Sequence, residues 1–129
     1  SIYGAFFSEF VKNGATLMTI ITNDGWWGDT AGYRQHFQYA RLRAIETRRS
    51  IARAANTGSS GFINQRGDVL QKTEWWTPTV IKETLNLNSE LTFYTIYGDY
   101  IGRIAYITSG VIGLLFLLQL FMPAIRKIR

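Results

Sequence analysis

The stretch that decides the fold is ATLMTIITNDGWWGD, residues 15–29. Residues 15–22 form an unbroken run rich in β-branched side chains, the pattern of a strand buried on both faces of a sheet. Asn23, Asp24 and Gly25 then form a turn that ends the strand. Loops at strand ends line clefts in α/β folds, so this turn and the residues after it are the candidate site.

Helices are predicted on both sides of the strand. Apolar residues near helical spacing favour a short helix over residues 2–13, which Gly14 helps to stop. A longer helix is predicted from an N-cap at Asp29 or Thr30 to about Arg49. Its apolar face is expected to contain four side chains: Phe37, Leu42, Ala44 and Ile45.

The other face of the longer helix is basic. Arg34, Arg41 and Arg48 recur at seven-residue spacing, and Glu46 has an arginine three residues away on each side. Oppositely charged residues at this spacing pair on a helix surface. We interpret this face as solvated or paired within the chain.

Three short strands are predicted next, over residues 51–56, 61–65 and 69–72. The segment Arg66-Gly67-Asp68 also spells a cell-adhesion tripeptide, but glycine between polar residues that join two strands favours a simple turn. Helix, strand, helix and then strands predict a layered α/β architecture.

Composition excludes several functions. The net charge of +5 arises from 14 basic and 9 acidic residues, and three of the basic ones, Arg126, Lys127 and Arg129, lie in the tail. The body is therefore nearly neutral, which argues against a nucleic-acid-binding surface. The chain contains no cysteine, so on its own it has no disulfide, thiolate zinc site or thiol nucleophile.

A membrane-spanning helix is predicted near the end of the chain. Residues 104–125 are uncharged, and roughly 20 apolar residues suffice to cross the hydrocarbon core. A long buried helix of a soluble protein is the alternative. Cations after Pro123 outnumber those before the span, so the tail is expected in the cytoplasm and the body on the outer side, the periplasm in a bacterium.

Side chains for catalysis are scarce in these residues. Gly58-Ser59-Ser60-Gly61 lacks the G-x-S-x-G spacing of a serine-hydrolase elbow. His36 is the only histidine, so it forms no multi-histidine metal site, and we expect it to serve helix packing or loop support. No catalytic residue, metal site or cofactor is therefore predicted here.

Trp26 and Trp27 are the unusual residues of the candidate site. Indole combines a large apolar surface with one N–H donor. The two rings are suited to wall an acyl chain or to insert at the lipid interface, and packing in the core is the third alternative.

Three strings carry a resemblance to a known family: TIITNDGWWGD, QHFQYARLRAIETRRSIARAANTGSSGFINQRGDVL and LTFYTIYGD, the last just before the apolar segment. In order and spacing they resemble the carboxyl-terminal half of bacterial apolipoprotein N-acyltransferase, and the double tryptophan is most similar to versions from the Bacteroidetes group. The resemblance implies the C-terminal half of a nitrilase-type α-β-β-α sandwich, residues 1–100, with apolar faces exposed. One transmembrane helix with a short basic cytoplasmic tail, residues 101–129, follows it.

The resemblance also implies an activity. The family uses a triad of glutamate as general base, lysine to stabilise the oxyanion and cysteine as nucleophile. None of the three is matched in this chain, and the cysteine, in a Cys-Tyr-Glu run, would lie immediately upstream of Ser1. The chain is therefore expected to be a truncated part of a bacterial inner-membrane enzyme, inactive alone.

The resemblance implies partners and a site as well. The partners are a phospholipid acyl donor, an apolipoprotein acceptor with a diacylglyceryl-cysteine N-terminus, and the membrane; no cofactor is implied. Asn23, Asp24, Trp26 and Trp27 are expected to border the acyl-binding cleft.

Two other interpretations stay open. One is a membrane-tethered nitrilase-fold amidase that hydrolyses small C–N substrates, although the apolar segment has no purpose in a soluble amidase. The other is a non-catalytic single-span protein that binds a partner through its outer domain.

Overall fold

The computed structural model describes residues 2–126, and the side chains of residues 2–120. The chain separates into two compact units, one ending at Gly98 and the other beginning at Asp99. We describe each unit by itself.

The first unit is a mixed α/β structure with one four-stranded sheet in the order β1-β2-β3-β4. Strands β1 and β2 are parallel, with Met18 opposite Ile51, and the other two pairs are antiparallel. This confirms the predicted α/β class, with the first strand beside the second. The elements are α1 (Gly4–Lys12), β1 (Met18–Thr22), a short 3-10 helix (Asp24–Trp27), α2 (Ala31–Thr47), β2 (Ile51–Ala55), β3 (Gly61–Ile63), β4 (Val69–Lys72) and α3 (Phe93–Tyr97).

Several elements are shorter than predicted. Strand β1 begins at Met18 because its partner β2 begins at Ile51. Helix α2 ends at Thr47 because Arg48 adopts a left-handed conformation, with φ of 52°. Strand β3 ends at Ile63 because the next residue begins the turn to β4.

That turn is the one predicted at Arg66-Gly67-Asp68. The Oδ1 atom of Asn64 accepts the backbone N–H groups of Arg66 and Asp68, both at 2.9 Å. Gly67 has φ of 84°, which glycine adopts without strain. The tripeptide is therefore a turn, as the spacing predicts.

The core lies between helices α1 and α2 and one face of the sheet. The opposite face of β1 carries Ile21, which is 88% exposed. The prediction that residues 15–22 are buried on both faces is therefore wrong, because only one face of β1 packs against helices in this unit. The buried cluster comprises Phe7, Val11, Met18, Ile20, Phe37, Ala40, Ala44, Ile51 and Ile63.

Helix α2 buries a different stripe from the predicted one. Phe37 and Ala44 are buried, but Leu42 and Ile45 are exposed. At about 100° per residue, Leu42 lies far around the helix from Phe37, whereas Ala40 lies close to its face. Small and polar residues complete the buried stripe: Tyr33, His36, Ala40, Arg43 and Thr47.

The basic face of α2 is paired within the chain, as predicted. Arg34 contacts Asp29 at 3.4 Å, and the Nε atom of Arg41 donates to the Gly67 carbonyl at 2.8 Å. Of the two arginines three residues from Glu46, Arg43 forms the ion pair, at 3.0 Å.

The second unit contains helix α4 (Tyr100–Arg126). Asp99 caps its first turn by accepting the backbone N–H of Gly102 at 2.9 Å. Within the described residues, the segment Tyr100–Leu120 of this helix has 21 residues and a mean hydropathy of 1.9, and it is long and apolar enough to cross a membrane. The predicted tail residues Lys127 and Arg129 lie outside the described residues, so orientation stays a prediction.

Candidate functional site

A buried charge network lies at the carboxyl ends of the parallel strands β1 and β2. Asp24 follows β1 and is 0% exposed. Its Oδ2 atom accepts a hydrogen bond of 2.6 Å from Arg53 Nη2 of strand β2, whose side chain is also buried. Its Oδ1 atom lies 2.9 Å from His36 Nδ1 and accepts the hydroxyl of Thr22 at 3.0 Å. A carboxylate only accepts, so His36 donates from Nδ1.

The network holds Asp24 in its charged form. Burial alone raises the pKa of the Asp24 carboxyl, but hydrogen bonds from Arg53 and His36 and the attraction of the guanidinium bring the pKa below its ordinary value. Arg53 also donates to the Ser59 carbonyl. His36 supports the loop after β1, which was one of its two predicted roles.

The depressed pKa of Asp24 predicts acid sensitivity of the complete protein. A carboxyl with a lowered pKa in the fold contributes stability above its ordinary pKa of about 3.9, and this stability is lost as pH falls through the folded value. We expect the melting temperature of the wild type to decrease when the pH is lowered below roughly 4. Asp24→Asn should lower the melting temperature at neutral pH but make it depend less on pH in the acid range.

Glu46 provides the control of opposite sign. Burial raises its pKa, with Arg43 opposing the rise, so its ionisation costs stability as pH increases above about 4.3. Glu46→Gln should reduce this loss of stability above about pH 4.3, while the decrease of the melting temperature below pH 4 should remain. If the melting temperatures of Asp24→Asn and the wild type decreased equally below pH 4, Asp24 would not be the source of the acid sensitivity.

Asn23 and Gly58 join the loop after β1 to the loop after β2. Asn23 Oδ1 accepts the Gly25 backbone N–H at 3.1 Å and the Thr57 hydroxyl at 2.8 Å. Gly58 packs directly on the Asp24 side chain, leaving no room for a Cβ atom. The two loops therefore form one connected surface.

The two predicted tryptophans lie in different surroundings. Trp26 is 86% exposed. The Trp27 ring packs edge-on against His36, with ring centres 5.0 Å apart, and its side chain covers Gly32. Thr30, the N-cap of α2, also donates to the Trp27 carbonyl at 2.8 Å.

A cavity of about 400 Å³ lies beside these loops, between segments 55–60 and 73–79. We call it the threonine cavity, because Thr57, Thr73 and Thr77 line it together with Ser60 and Trp76. This cavity was not predicted from the sequence. Its one available signal was the second tryptophan pair, Trp75-Trp76.

The second tryptophan pair continues the aromatic surface at the start of α2. The Trp75 ring lies 4.1 Å from the Tyr33 ring and 5.7 Å from the Trp76 ring, measured between centres. Trp76 has φ of 59°, unusual for a bulky residue.

Only two of the four predicted site residues, Asn23 and Asp24, are seen to contact the cavity wall from outside. Asn23 and Asp24 contact its wall at Thr57 and Gly58, and Trp27 packs on His36 behind them. None of the four is among the cavity-lining residues. Their contact with an acyl chain stays a prediction. Within the described residues, no three His, Asp or Glu side chains come together as metal ligands.

A site outside the carboxyl ends of two parallel strands is the arrangement of α/β enzymes that bind ligands at that sheet edge. The carbon-nitrogen hydrolase model matches residues 2–90, and the chain belongs to the carbon-nitrogen hydrolase family.

Comparison with curated proteins agrees with the family resemblance. The chain is 40% identical to a protein named apolipoprotein N-acyltransferase from Chlorobaculum tepidum, over 88% of this chain and 21% of the relative. Proteins with the same name from Bdellovibrio bacteriovorus and Pasteurella multocida are 35% and 30% identical, over 86% and 95% of this chain and 21% and 24% of the relatives. The chain thus spans about a fifth of the length of these relatives, less than the predicted half. The predicted resemblance to apolipoprotein N-acyltransferases is confirmed, and the similarity to versions from the Bacteroidetes group stays a prediction.

Proposed function

We propose that this chain is part of an N-acyltransferase of lipoprotein maturation. The complete protein moves an acyl chain from a phospholipid to the N-terminal amine of an apolipoprotein. The observation that carries the proposal is the similarity, over 88% of the chain, to a protein named apolipoprotein N-acyltransferase. The apolar helix Tyr100–Leu120 supports a membrane setting for it.

The proposed reaction has two steps. The glutamate general base takes the thiol proton, and the cysteine thiolate attacks the acyl ester carbonyl of the phospholipid. A C–S bond forms, the ester C–O bond breaks, and the glutamate returns the proton to the leaving lysophospholipid oxygen. The neutral amine of the acceptor then attacks the thioester carbonyl, an amide bond forms and the C–S bond breaks. The glutamate takes the amine proton and passes it to the sulfur, which regenerates the cysteine. The chain contains no cysteine, so the nucleophile belongs to the sequence expected upstream of Ser1.

The contribution of these residues is a rigid cleft border. The buried Asp24–Arg53 ion pair anchors the loop after β1 to strand β2. The exposed Trp26 indole then offers apolar surface to an acyl chain, and Asn23 shapes the turn that presents it.

The membrane helix brings the cleft to its substrates. Both proposed substrates are lipids of one leaflet, so a tethered catalytic domain searches a short local volume. We place the enzyme in the bacterial inner membrane, with the α/β unit in the periplasm and the carboxyl terminus in the cytoplasm. The cationic residues after Pro123 support this orientation.

Replacing both Trp26 and Trp27 by alanine tests this cleft in the complete protein reconstituted in membranes. We expect labelled-acyl transfer to fall at least tenfold while the protein stays folded, because Trp26 is exposed and Trp27 is partly exposed. Trp26→Ala alone should leave the melting temperature nearly unchanged. The control is Tyr39→Ala, which removes an exposed aromatic ring from the outer part of α2. Unchanged transfer in the double variant would show that the tryptophans do not border the acyl-binding cleft. Hydrolysis of simple amides without acyl transfer by the wild type would favour the amidase alternative.

A further inference from the structure

The threonine cavity carries chemistry that the predicted site does not include. We infer that it binds the neutral carbonyl end of an acyl ester or acyl amide, with Trp76 against the attached alkyl carbons. This inference rests on the proposed acyl transfer, because that reaction begins with an ester and ends with an amide.

Hydroxyl groups give the cavity its donors. Ser60 Oγ accepts the Ala55 backbone N–H at 3.0 Å, and Thr73 Oγ1 accepts the Ser60 backbone N–H at 2.9 Å. A hydroxyl that accepts in this way still has its own proton to donate. Both hydroxyls are fixed by these bonds, so their O–H groups are positioned for a ligand oxygen that only accepts.

The described lining favours a neutral ligand over a charged one. No charged side chain is among the described residues that line the cavity. A phosphate or carboxylate would enter without a cation to pair with, and an ammonium group without an anion, which is costly. A neutral carbonyl oxygen needs only hydrogen-bond donors, and the hydroxyls provide them.

Trp76 offers apolar surface to the alkyl carbons of the proposed ligand. Its indole is 63% exposed although one side contacts the tilted ring of Trp75. Its left-handed backbone is strained for a bulky residue, and such strain concentrates at ligand clamps. Pro78, also in the lining, adds further apolar surface.

The cavity shares a wall with the predicted cleft border. Thr57 lines the cavity and donates to Asn23, and Gly58 lines it and packs on Asp24. A carbonyl held in the cavity therefore lies beside the loop that presents Trp26.

Photo-crosslinking of the complete protein in membranes tests the inference. One probe is a phospholipid with a diazirine close to its ester carbonyl, and the other is an N-acylated lipopeptide with a diazirine close to its amide carbonyl. Peptide mass spectrometry measures labelling of segment 55–60, whose residues are unchanged in every Trp76 variant. We expect at least one probe to label this segment, and the probe that does so identifies the donor or the product as the source.

Trp76→Gly separates binding from folding. Glycine relieves the left-handed strain, so the melting temperature should stay the same or rise, while labelling of segment 55–60 should fall at least fivefold. Trp76→Phe should retain most of the labelling. An acyl methyl ester should compete with the probes, and the fatty-acid anion of equal length should not.

The outcomes distinguish this site from the proposed function. Labelling by a wild-type protein that transfers no acyl chain would support the site and refute the function. Acyl transfer without labelling of segment 55–60, undiminished labelling in Trp76→Gly, or equal competition by the fatty-acid anion would each overturn the inference.

Discussion

Arg53→Met is expected to lower the free energy of unfolding of the α/β unit by about 3–5 kcal/mol, the usual cost of removing one partner of a buried ion pair. Both side chains are fully buried, and the Arg53–Asp24 distance is 2.6 Å. Among the described residues, the substitution leaves the Asp24 carboxylate with His36 and Thr22 as its side-chain partners. Thermal melting of the complete protein should show a clearly lower melting temperature than the wild type.

The matched controls separate the buried charge from the loss of an arginine. Arg34→Met removes the exposed partner of Asp29 and should leave stability nearly unchanged, because solvent-exposed ion pairs contribute little. The double variant Asp24→Leu, Arg53→Met removes both charges, so it should be more stable than Arg53→Met alone. An effect of Arg53→Met no larger than that of Arg34→Met would show that the network does not stabilise the loop.

Local patterns were sufficient to predict the elements of the sheet. The β-branched run before Asn23 gave the first strand, and the glycine turn at Gly67 gave the hairpin of β3 and β4. Thr30 was correctly identified as one of two alternative N-caps, since its side chain accepts the Gly32 N–H at 3.2 Å. These features depend on residues close in sequence, which a single chain displays directly.

The charge network was not predictable in the same way. Arg53 lies in the segment IARAA, where an arginine between alanines suggests an exposed position. It is buried because its partner Asp24, 29 residues earlier, reaches the same sheet edge through the parallel pairing of β1 and β2. Burial of a charge thus depended on a long-range contact that no local pattern contains.

The threonine cavity was missed for a related reason. One of its walls belongs to an irregular segment between β4 and α3, which has no periodicity. Hydrogen bonds from side chains to the backbone hold that segment: Arg49 donates to the Glu90 carbonyl at 2.8 Å, and Ser50 donates to the Asn86 carbonyl at 2.8 Å.

Burial lowers the pKa of Arg49, whose guanidinium also donates to the Ala15 carbonyl at 2.7 Å.

The 129-residue chain alone is expected to form no thioester from phospholipid and to transfer no acyl chain to an apolipoprotein amine, even in membranes. It contains no cysteine. Its serine hydroxyls are poor substitutes, because an unactivated hydroxyl stays protonated at neutral pH and the resemblance implies no general base within these residues. A labelled-acyl assay with thioester trapping measures both steps.

The complete protein is the positive control for the inactive 129-residue chain. With the Cys-Tyr-Glu run joined upstream of Ser1, thioester formation and transfer should appear. Replacing that cysteine alone by alanine should abolish both while leaving the melting temperature nearly unchanged. Such a variant retains the Asp24–Arg53 network and the threonine cavity, so it should still bind the acyl ester probe. Robust transfer by the 129-residue chain would refute the cysteine mechanism, because no thiol is then available to carry the acyl group.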